Sequence, residues 1–414
     1  MVFFIESMSH SGEGVARYGG KVIFISYAIQ GEVVEADIKE EKKNYSRGIL
    51  RKVIDQSDYR IEPKCPYYFE CGGCSYQHIT YQQQLMIKQK IVEQILKRIG
   101  GIKTVTNKVK GVQDPWHYRN KVLWHINEDF NGKKMGFYHY HTKKLIEVKD
   151  CPILQPHLNI ISSLIRERLS GISIRENSSV MIRQSSKNKE VVIEFINCNP
   201  DQEVLNRLAQ EANSIYSNHN GKTRLLSGQD LIREETGGYI FHLGPDDFYQ
   251  INSEQIELLI YTVSQYLDLS ECKKIVDAYC GVGIFSINIA RKVSQVIGID
   301  SNKKAIDHAK TNALVNKITN CQFMVGLCEK ILPALSEPFD CMIMDPPRAG
   351  LKKGMIHAIS HVLPKEVIYV SCDPGTLARD LKQFTENNYQ VVFIQPIDMF
   401  PQTSHIENVV LLRK

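Results

Sequence analysis

The hydrophobic pattern changes twice along the chain. Up to about residue 54, short apolar runs separated by glycine turns predict closely spaced strands, as in a small β-barrel of the OB type. From about residue 240 onward, apolar runs alternate with segments of helical periodicity, which predicts a doubly wound parallel sheet. The region between them mixes amphipathic helices with alternating strands. We therefore predict an α/β protein with domains at residues 1–54, 55–235 and 236–414, the middle one of α+β type.

One long helix is predicted over about residues 79–100. Apolar residues recur there at helical spacing among glutamines and lysines, and Gly100-Gly101 ends the pattern. The expected role of this helix is packing, with its apolar side against the C-terminal domain, and we assign no chemistry to it.

Composition supports several domains with ordinary cores. The chain has 414 residues, of which 43% are hydrophobic and 23% are charged. Its net charge of +5 is compatible with a polyanionic partner but does not require one. No apolar run reaches the about 18 residues that span a bilayer, and the early Glu6 argues against a signal peptide. We expect a cytoplasmic protein with no membrane partner, in which the eleven cysteines stay reduced.

Three cysteines, Cys65, Cys71 and Cys74, form a C-x5-C-G-G-C pattern whose glycines allow the backbone to fold tightly around a centre. This spacing indicates a metal site that needs a fourth ligand. Cys151 is the best candidate, because a proline follows it as one follows Cys65. Four thiolates suit either tetrahedral zinc or a [4Fe–4S] cluster. The Gly-Gly pair and the distant fourth cysteine favour iron–sulfur, and the expected role is structural.

Two stretches mix cations with aromatic rings, as RNA-binding surfaces do. One lies within residues 42–52 and includes Tyr45. The other runs from Trp116 to Lys121. A solvated, charge-balanced surface is an equally good interpretation of either stretch. RNA is therefore a candidate partner, and the composition of these stretches alone does not establish it.

The C-terminal domain begins with a strand that runs through Asp277 into a turn containing Gly281 and Gly283. Glycines at such a bend let a ligand approach the backbone closely. The G-x-G-x-x-S spacing by itself is only a weak indication of a nucleotide. A second strand ends about twenty residues later in Asp300, an acid placed to hold a ribose diol. The unit fits S-adenosylmethionine as well as a dinucleotide.

Three later motifs decide between these ligands. A buried strand ends in Asp345-Pro346-Pro347, which is typical of sites that position a planar nitrogen heterocycle beside a methyl donor. The next strand delivers Cys372 to an Asp-Pro-Gly turn, where a thiol serves as a nucleophile or packs as a buried side chain. Glu407 precedes the last apolar strand and is a candidate general base, with His405 as its competitor.

Together these motifs resemble the S-adenosylmethionine-dependent RNA uracil-C5 methyltransferase family, in particular its 23S rRNA enzymes with a TRAM-like barrel and an iron–sulfur domain. The resemblance implies a Rossmann-like methyltransferase domain at the C-terminal end. One departure is the pair Asp246-Asp247, where the family usually carries a small or hydroxyl residue. The resemblance covers nearly the whole chain and is carried by the cysteine pattern with Cys151, Asp246–Asn252, Asp277–Gly283, Asp345–Arg348, Ser371–Pro374 and Phe400–Glu407.

The resemblance implies a role for each matched residue. Cys372 would be the nucleophile and Glu407 the base, while Asp345 and Arg348 would orient the uracil ring. The four cysteines of the pattern would ligate a [4Fe–4S] cluster. The methyl-donor site would be formed by Gln250, Tyr279, Gly281, Gly283, Asp300 and Asp345.

The implied reaction begins when the Cys372 thiolate adds to C6 of uracil, because this addition makes C5 nucleophilic enough to take a methyl group. Glu407 then removes the C5 proton, the thiol leaves by β-elimination and 5-methyluridine is released. The target uridine would have to leave its stack to be reached. The protein is expected to act as a monomer.

Other assignments fit less well. Cytosine-C5 enzymes typically carry a second cysteine after the proline, whereas Arg348 follows Pro347 here. Exocyclic-amine enzymes would want an aromatic residue after Asp-Pro-Pro and have no need of Cys372. The intact Cys372 and Glu407 also disfavour a non-catalytic RNA-binding or RNA-folding factor. Among substrates, the barrel and the cluster favour 23S rRNA over uridine 54 of tRNA, although archaeal-type tRNA enzymes can carry the cluster.

Overall fold

The computed structural model describes residues 1–140, 142–267, 273–335 and 338–414. These ranges build three large sheets and one two-stranded hairpin, which follow one another along the chain. Each large sheet has its own hydrophobic core. No helix within the described ranges is long and apolar enough to cross a membrane.

The first sheet is formed by the N-terminal segment with its glycine turns. Its strands are β1 (Val2–Phe4), β2 (Ser7–Met8), β3 (Gly14–Tyr18), β4 (Lys21–Ser26), β5 (Val33–Glu41) and β6 (Tyr45–Asp55). They pair in the order β1-β5-β6-β4-β3-β2. The strands predicted for a small β-barrel are present, but their sheet does not close, because no pairing within residues 1–55 joins β1 to β2. These end strands are three and two residues long, which leaves too few backbone groups for a closing ladder.

The middle segment contributes one long helix and a seven-stranded sheet. The helix α1 (Tyr81–Ile95) continues in a π-helical turn (Leu96–Gly100), so the helix predicted over 79–100 is present. The sheet and its helices are β7 (Lys121–Asp129), β8 (Gly132–Tyr138), β9 (Leu145–Glu147), α2 (Pro156–Arg166), β10 (Ile172–Gln184), β11 (Val191–Pro200), α3 (Gln202–Leu208), β12 (Ser214–His219) and β13 (Lys222–Gly228). The strand order is β13-β12-β11-β10-β7-β8-β9. Val122, Trp124 and Ile126 alternate along β7 and are buried in the core that α2 covers.

A hairpin leads into the C-terminal sheet. The elements of this part are β14 (Ile232–Thr236), β15 (Tyr239–Leu243), α4 (Ser253–Tyr266), β16 (Lys274–Ala278), α5 (Ile284–Ala290), β17 (Gln295–Asp300), α6 (Lys303–Val315), β18 (Cys321–Val325), α7 (Cys328–Ile331), β19 (Cys341–Met344), α8 (Lys353–Val362), β20 (Glu366–Ser371), α9 (Pro374–Glu386), β21 (Gln390–Ile397) and β22 (Glu407–Arg413). The sheet order is β18-β17-β16-β19-β20-β22-β21. Strands β16 to β20 run parallel, whereas β22 is antiparallel to both of its neighbours.

Successive residues of the central strands enter two different cores. Ile275 of β16 belongs to the core that α4, α5 and α6 cover, and Val276 belongs to the core on the other side, under α7, α8 and α9. Ile368 and Tyr369 of β20 divide in the same way. Helices on both faces explain the continuously apolar strands. The predicted doubly wound sheet is confirmed.

The order of the parallel strands places a crevice at one edge of this sheet. From β16 the chain proceeds to β17 on one side, and β19 pairs with β16 on the other. Such a switch point opens a crevice at the carboxyl ends of the strands. The loops that follow β16, β17, β19 and β20 therefore meet at one edge.

Helix α1 precedes the middle sheet in sequence but packs on the C-terminal sheet. Val92 and Leu96 share a core with Leu377 and Leu381 of α9. The cysteine-containing segment just before α1 is thereby held beside the carboxyl edge of the C-terminal strands.

Candidate active site

Cys372 lies at the carboxyl edge, between the end of β20 and the start of α9. Ser371 is the last strand residue, and Asp373 caps the helix by accepting a hydrogen bond from the Thr376 N–H at 2.8 Å. The thiol opens into a cavity of about 350 Å³. All three large segments of the chain contribute to the cavity wall, which includes His10, Gly73, Ser75, Arg348 and His405.

The surroundings hold Cys372 as a thiol at neutral pH. Burial raises its pKa to about 11, and the charges of Glu407 and Asp345 act in the same direction. Arg348 lowers this pKa through its charge and through a hydrogen bond. Since the thiolate is the attacking form of a cysteine, Arg348 favours the form that a nucleophile needs.

Glu407 lies near Cys372 because β20 pairs with β22. Ser371 and Asn408 form the last pair of this ladder, so Cys372 and Glu407 both come directly beyond it, and the charge of Glu407 raises the pKa of Cys372. The carboxyl group is 2% exposed, and its Oε1 is buried without a hydrogen-bond partner in the described structure. Burial raises the pKa of Glu407 well above its ordinary range, the charge of Asp345 raises it further, and Arg348 lowers it.

His405 lies against Arg348. The Arg348 Nη2 atom is 3.1 Å from both ring nitrogens of His405. Burial lowers the pKa of His405 to about 4, and the Arg348 charge contributes to this lowering. A neutral imidazole has one nitrogen free to accept a hydrogen bond. The arrangement therefore makes His405 a support for Arg348.

A second hollow adjoins the thiol through Asp345. It encloses about 30 Å³, and a ligand of nucleoside size would have to extend from it along the crevice. Burial raises the pKa of Asp345 to about 7, and the neighbouring Asp277 adds to the rise. The charge of Asp345 acts on Cys372 and Glu407. Of the residues predicted for the methyl donor, the hollow is lined by Gln250, Tyr279, Gly281 and Asp345.

The two glycines of the turn after β16 differ in the space around them. Gly281 and Gly283 have φ values of 53° and 87°. A Cβ atom at Gly283 would approach Phe323 to 3.2 Å, whereas one at Gly281 would meet no atom within 4 Å. Gly283 is therefore favoured by its backbone conformation and by close packing against Phe323, and the open space lies at Gly281.

Asp300 and Gly283 support the glycine turn but do not line the hollow. The Gly281 N–H donates to Asp300 Oδ2 at 3.0 Å, and the Asn302 N–H donates to Asp300 Oδ1 at 2.8 Å. Asp277 lies below the turn, where its Oδ2 accepts a hydrogen bond from the Ser286 N–H at 2.9 Å. The predicted contact of Asp300 with a ribose stays a prediction.

The four cysteines predicted as ligands line one cavity of about 210 Å³, and all four are free thiols. Burial raises the pKa of each thiol, that of Cys151 to about 12. Leu123, Phe137 and Leu154 make much of the wall apolar, and Arg119 adds a positive charge. The described residues contain no group of three or more His, Cys, Asp or Glu side chains placed to hold a metal ion. The predicted iron–sulfur ligation by these four thiols therefore stays a prediction.

Sequence reasoning missed the residues that hold the loop between β21 and β22. This loop, residues 398–406, carries His405 and leads into Glu407. Lys88 of α1 is buried, and its Nζ lies 2.6 Å from Asp398 Oδ1. Gln84, one turn earlier, is also buried and contacts the same loop. The sequence did contain an indication of these contacts. Gln84 and Lys88 are four residues apart, beside apolar positions of the helix, and polar side chains at such positions are buried only when they have partners.

The doubly wound sheet, its switch-point crevice and the glycine turn at the first strand fit the class of S-adenosylmethionine-dependent methyltransferases. Comparison with protein families places the chain more closely. Residues 80–414 match the tRNA (uracil-5-)-methyltransferase family, and residues 4–50 match the TRAM domain. The chain belongs to the tRNA (uracil-5-)-methyltransferase family, and the resemblance to uracil-C5 methyltransferases is confirmed.

Relatives of similar length support this placement. A protein of Bacillus cereus (strain ATCC 10987) described as an uncharacterized RNA methyltransferase is 35% identical over 441 residues, covering 99% of this chain and 95% of its own. A Clostridium tetani protein with the same description is 34% identical over 437 residues, with the same coverage.

A solved structure extends the similarity to the whole fold. The tRNA (uracil-54, C5)-methyltransferase of Pyrococcus abyssi, determined in complex with S-adenosyl-L-homocysteine, matches with a TM-score of 0.79 and 26% identity. The match covers 100% of this chain and 99% of that protein. This chain is therefore an S-adenosylmethionine-dependent RNA methyltransferase.

Proposed function

We propose that the protein methylates C5 of a uridine in 23S rRNA through a covalent adduct between Cys372 and C6 of the base. One observation supports the proposed chemistry: a buried carboxyl group, Glu407, comes directly beyond the end of the β20–β22 ladder, as Cys372 does, and its charge acts on the thiol. A thiol that adds and a carboxyl group that removes a proton are the two groups that methylation at C5 needs. Arg348 and Asp345 act electrostatically on the same thiol.

In the proposed reaction, the Cys372 thiolate forms a bond to C6, and the displaced π electrons move onto the uracil ring. Arg348 favours the thiolate and, as a cation, helps to stabilise the negative charge that develops on the ring, while Asp345 orients the ring. S-adenosylmethionine supplies the methyl group to C5 and leaves as S-adenosylhomocysteine. Glu407 then takes the proton from C5, the C5–C6 double bond re-forms, and the bond from C6 to sulfur breaks.

The methyl donor would be held at the hollow beside Asp345. Gln250, Tyr279 and Gly281 line this hollow, and the open space at Gly281 lets a ligand approach the backbone. In this proposal Gly283 and Asp300 shape the turn, and Asp300 retains its predicted role toward the ribose.

We further propose that Cys65, Cys71, Cys74 and Cys151 hold a [4Fe–4S] cluster. Their convergence on one cavity and the nearby Arg119 support this assignment. The cluster would cross-link the loop before α1 to the loop after β9. Its role in this proposal is structural, since it would fasten two segments that lack a large core of their own.

The proposal divides the work among three segments. Residues 1–54 would bind RNA as the TRAM domain, residues 55–235 would carry the cluster and further RNA contacts, and residues 236–414 would perform the methyl transfer. Because the described lining of the catalytic cavity comes entirely from this chain, a monomer would suffice.

Transfer RNA is the second candidate substrate. The Pyrococcus abyssi enzyme, which matches over the whole chain, acts on uridine 54 of tRNA, and this observation favours tRNA. A non-catalytic RNA-binding factor would share the fold but would not need Cys372.

The test is methyl transfer from labelled S-adenosylmethionine to unmodified 23S rRNA and, separately, to tRNA, followed by nucleoside analysis. Labelled 5-methyluridine in rRNA alone supports the proposal. The same nucleoside in tRNA alone would make tRNA the substrate in place of rRNA.

Cys372→Ala should abolish both transfer and the adduct with RNA that contains 5-fluorouridine. Cys321→Ala, on the edge strand β18, serves as the control. An adduct that persists in Cys372→Ala would overturn the covalent mechanism.

A further inference from the structure

The loop of residues 398–406 is held largely by groups from outside the C-terminal domain. The Tyr81 hydroxyl donates to Asp398 Oδ2 at 2.9 Å, and Lys88 Nζ donates to the Phe400 carbonyl at 3.0 Å. The Tyr118 hydroxyl donates to the Pro401 carbonyl at 3.0 Å. The segment around the four cysteines therefore supplies much of what fixes this loop.

Gln402 is the residue at which these contacts concentrate. It is 3% exposed and has a φ of 67°, a conformation that non-glycine residues keep only when their surroundings impose it. Its carbonyl accepts hydrogen bonds from the Ser75 and Tyr76 N–H groups, both at 3.0 Å. Its N–H donates to Gln84 Oε1 at 3.1 Å, and its own Oε1 accepts from Gln84 Nε2 at 3.0 Å. These contacts hold the backbone turn in place.

Ser75 provides a second attachment two residues further along the loop. The Ser404 N–H donates to Ser75 Oγ at 2.8 Å. Ser75 directly follows Cys74, and both residues line the cavity into which Cys372 opens. Gln84 Nε2 also lies within hydrogen-bond distance of the Tyr76 and Ile79 carbonyls, so Gln84 joins the segment after the cysteines to the loop.

The position of Glu407 depends on this loop. The β21–β22 ladder begins with the pair Ile397 and Glu407, so the loop closes the hairpin at the catalytic carboxyl group. Glu407 Oε1 has no hydrogen-bond partner in the described structure that could hold it independently. A change in the loop would therefore move the carboxyl group relative to Cys372.

We infer that Gln84 and Ser75 are positioning residues for Glu407, through which the cysteine-bearing segment controls the proton-removal step. The inference rests on the proposed function. It concerns the second half of the reaction, because Cys372 is placed by β20 and α9 and does not depend on the loop.

The test is Gln84→Met, which keeps the length of the side chain and removes its hydrogen bonds. With natural RNA, release of 5-methyluridine should slow between about 10- and 100-fold, and a covalent protein–RNA complex should accumulate. The rate of adduct formation with 5-fluorouridine RNA and the KM for S-adenosylmethionine should match the wild type, since neither involves proton removal. Ser75→Ala should show the same combination of slower product release and normal adduct formation, to a smaller extent.

Gln89→Met is the matched control, because Gln89 lies on the same helix and bonds Glu93 on its exposed side. Release of 5-methyluridine at the wild-type rate in both Gln84→Met and Ser75→Ala would overturn the inference. So would an equal slowing of the 5-fluorouridine adduct, since that result indicates a general structural role. If the wild-type protein forms no adduct and no 5-methyluridine, the proposed function itself fails, and the two failures are thereby distinguished.

Discussion

At the scale of single residues, the surroundings of Cys372 oppose its ionisation. Burial and two neighbouring carboxyl groups raise its pKa to about 11, and Arg348 acts against them. Reactive cysteines usually lie in electropositive surroundings that lower the pKa. The opposing charges of Arg348 and the two carboxyl groups should therefore set the fraction of Cys372 that is thiolate. That fraction in turn sets the rate at which the sulfur attacks C6.

This balance predicts a pH dependence for adduct formation with 5-fluorouridine RNA. The thiolate fraction grows as pH rises toward a pKa of about 11, so the rate should increase with pH across the neutral and mildly alkaline range.

Arg348→Gln removes the cation that favours the thiolate and therefore raises the pKa of Cys372. Each increase of about one in this pKa should lower the thiolate fraction, and with it the rate at a given pH, about tenfold. Arg348→Lys keeps a charge and should lose less. Superimposable pH profiles for wild type and Arg348→Gln would contradict this account.

Glu407 offers a second prediction at this scale. In its carboxylate form this side chain can accept the C5 proton, and glutamine cannot do so. Glu407→Gln should therefore trap a covalent protein–RNA complex with natural RNA, visible on a denaturing gel, while 5-methyluridine release falls by about 100-fold or more. Glu366→Gln, at the other end of β20, tests the loss of a sheet carboxyl group that pairs with Arg413. Normal turnover by Glu407→Gln would remove this residue from the mechanism.

At the scale of elements, α1 does more than the packing that its amphipathic pattern predicts. It packs on α9 with its apolar residues and binds the loop of residues 398–406 with polar ones. Lys88 and Asp398 form an ion pair in which both side chains are 0% exposed. Buried charges are tolerated only in pairs, because each alone has lost its hydration.

Lys88→Met should therefore destabilise the protein by leaving Asp398 buried with less compensation. The expected loss in the free energy of unfolding is about 3–5 kcal/mol, measured by urea denaturation. The double variant Lys88→Met/Asp398→Asn should recover part of this loss, since the unpaired charge is gone. Lys90→Met, on the exposed side of α1, should change stability by less than about 0.5 kcal/mol. A loss in Lys88→Met no larger than in Lys90→Met would refute the role of the pair.

At the scale of the whole molecule, two cavities share one wall. Gly73 and Cys74 line both the four-thiol cavity and the cavity of Cys372. His10 of the first sheet lines the latter as well. A substrate that reaches Cys372 therefore passes between segments that lie far apart in sequence.

The proposed cluster gives a prediction at this scale. Protein purified without oxygen should contain about four irons per chain, measured by elemental analysis. Cys74→Ser should lower the iron content and, because Ser75 follows directly, slow product release as well. Cys198→Ser removes a buried thiol of β11 that lies outside the four-thiol cavity, and should keep its iron. Stoichiometric zinc without iron would refute the cluster.

The sequence by itself determined the local parts of this protein. Apolar runs placed the strands, and motifs placed Asp345, Cys372 and the glycine turn at strand ends, because strand, turn and cap preferences act between neighbouring residues. It also identified the four cysteines that the fold brings to one cavity. The family resemblance extended these local assignments to a reaction.

Only the tertiary structure decided which of these parts meet. The insertion of β22 between β20 and β21 brings Glu407 to the end of β20, where Cys372 lies, and pairing between the short end strands does not close the first sheet. Gln84 and Gln402 are 318 residues apart in sequence but share hydrogen bonds. Such contacts arise from long-range packing and the burial of polar groups that must find partners, and no local pattern specifies the partner.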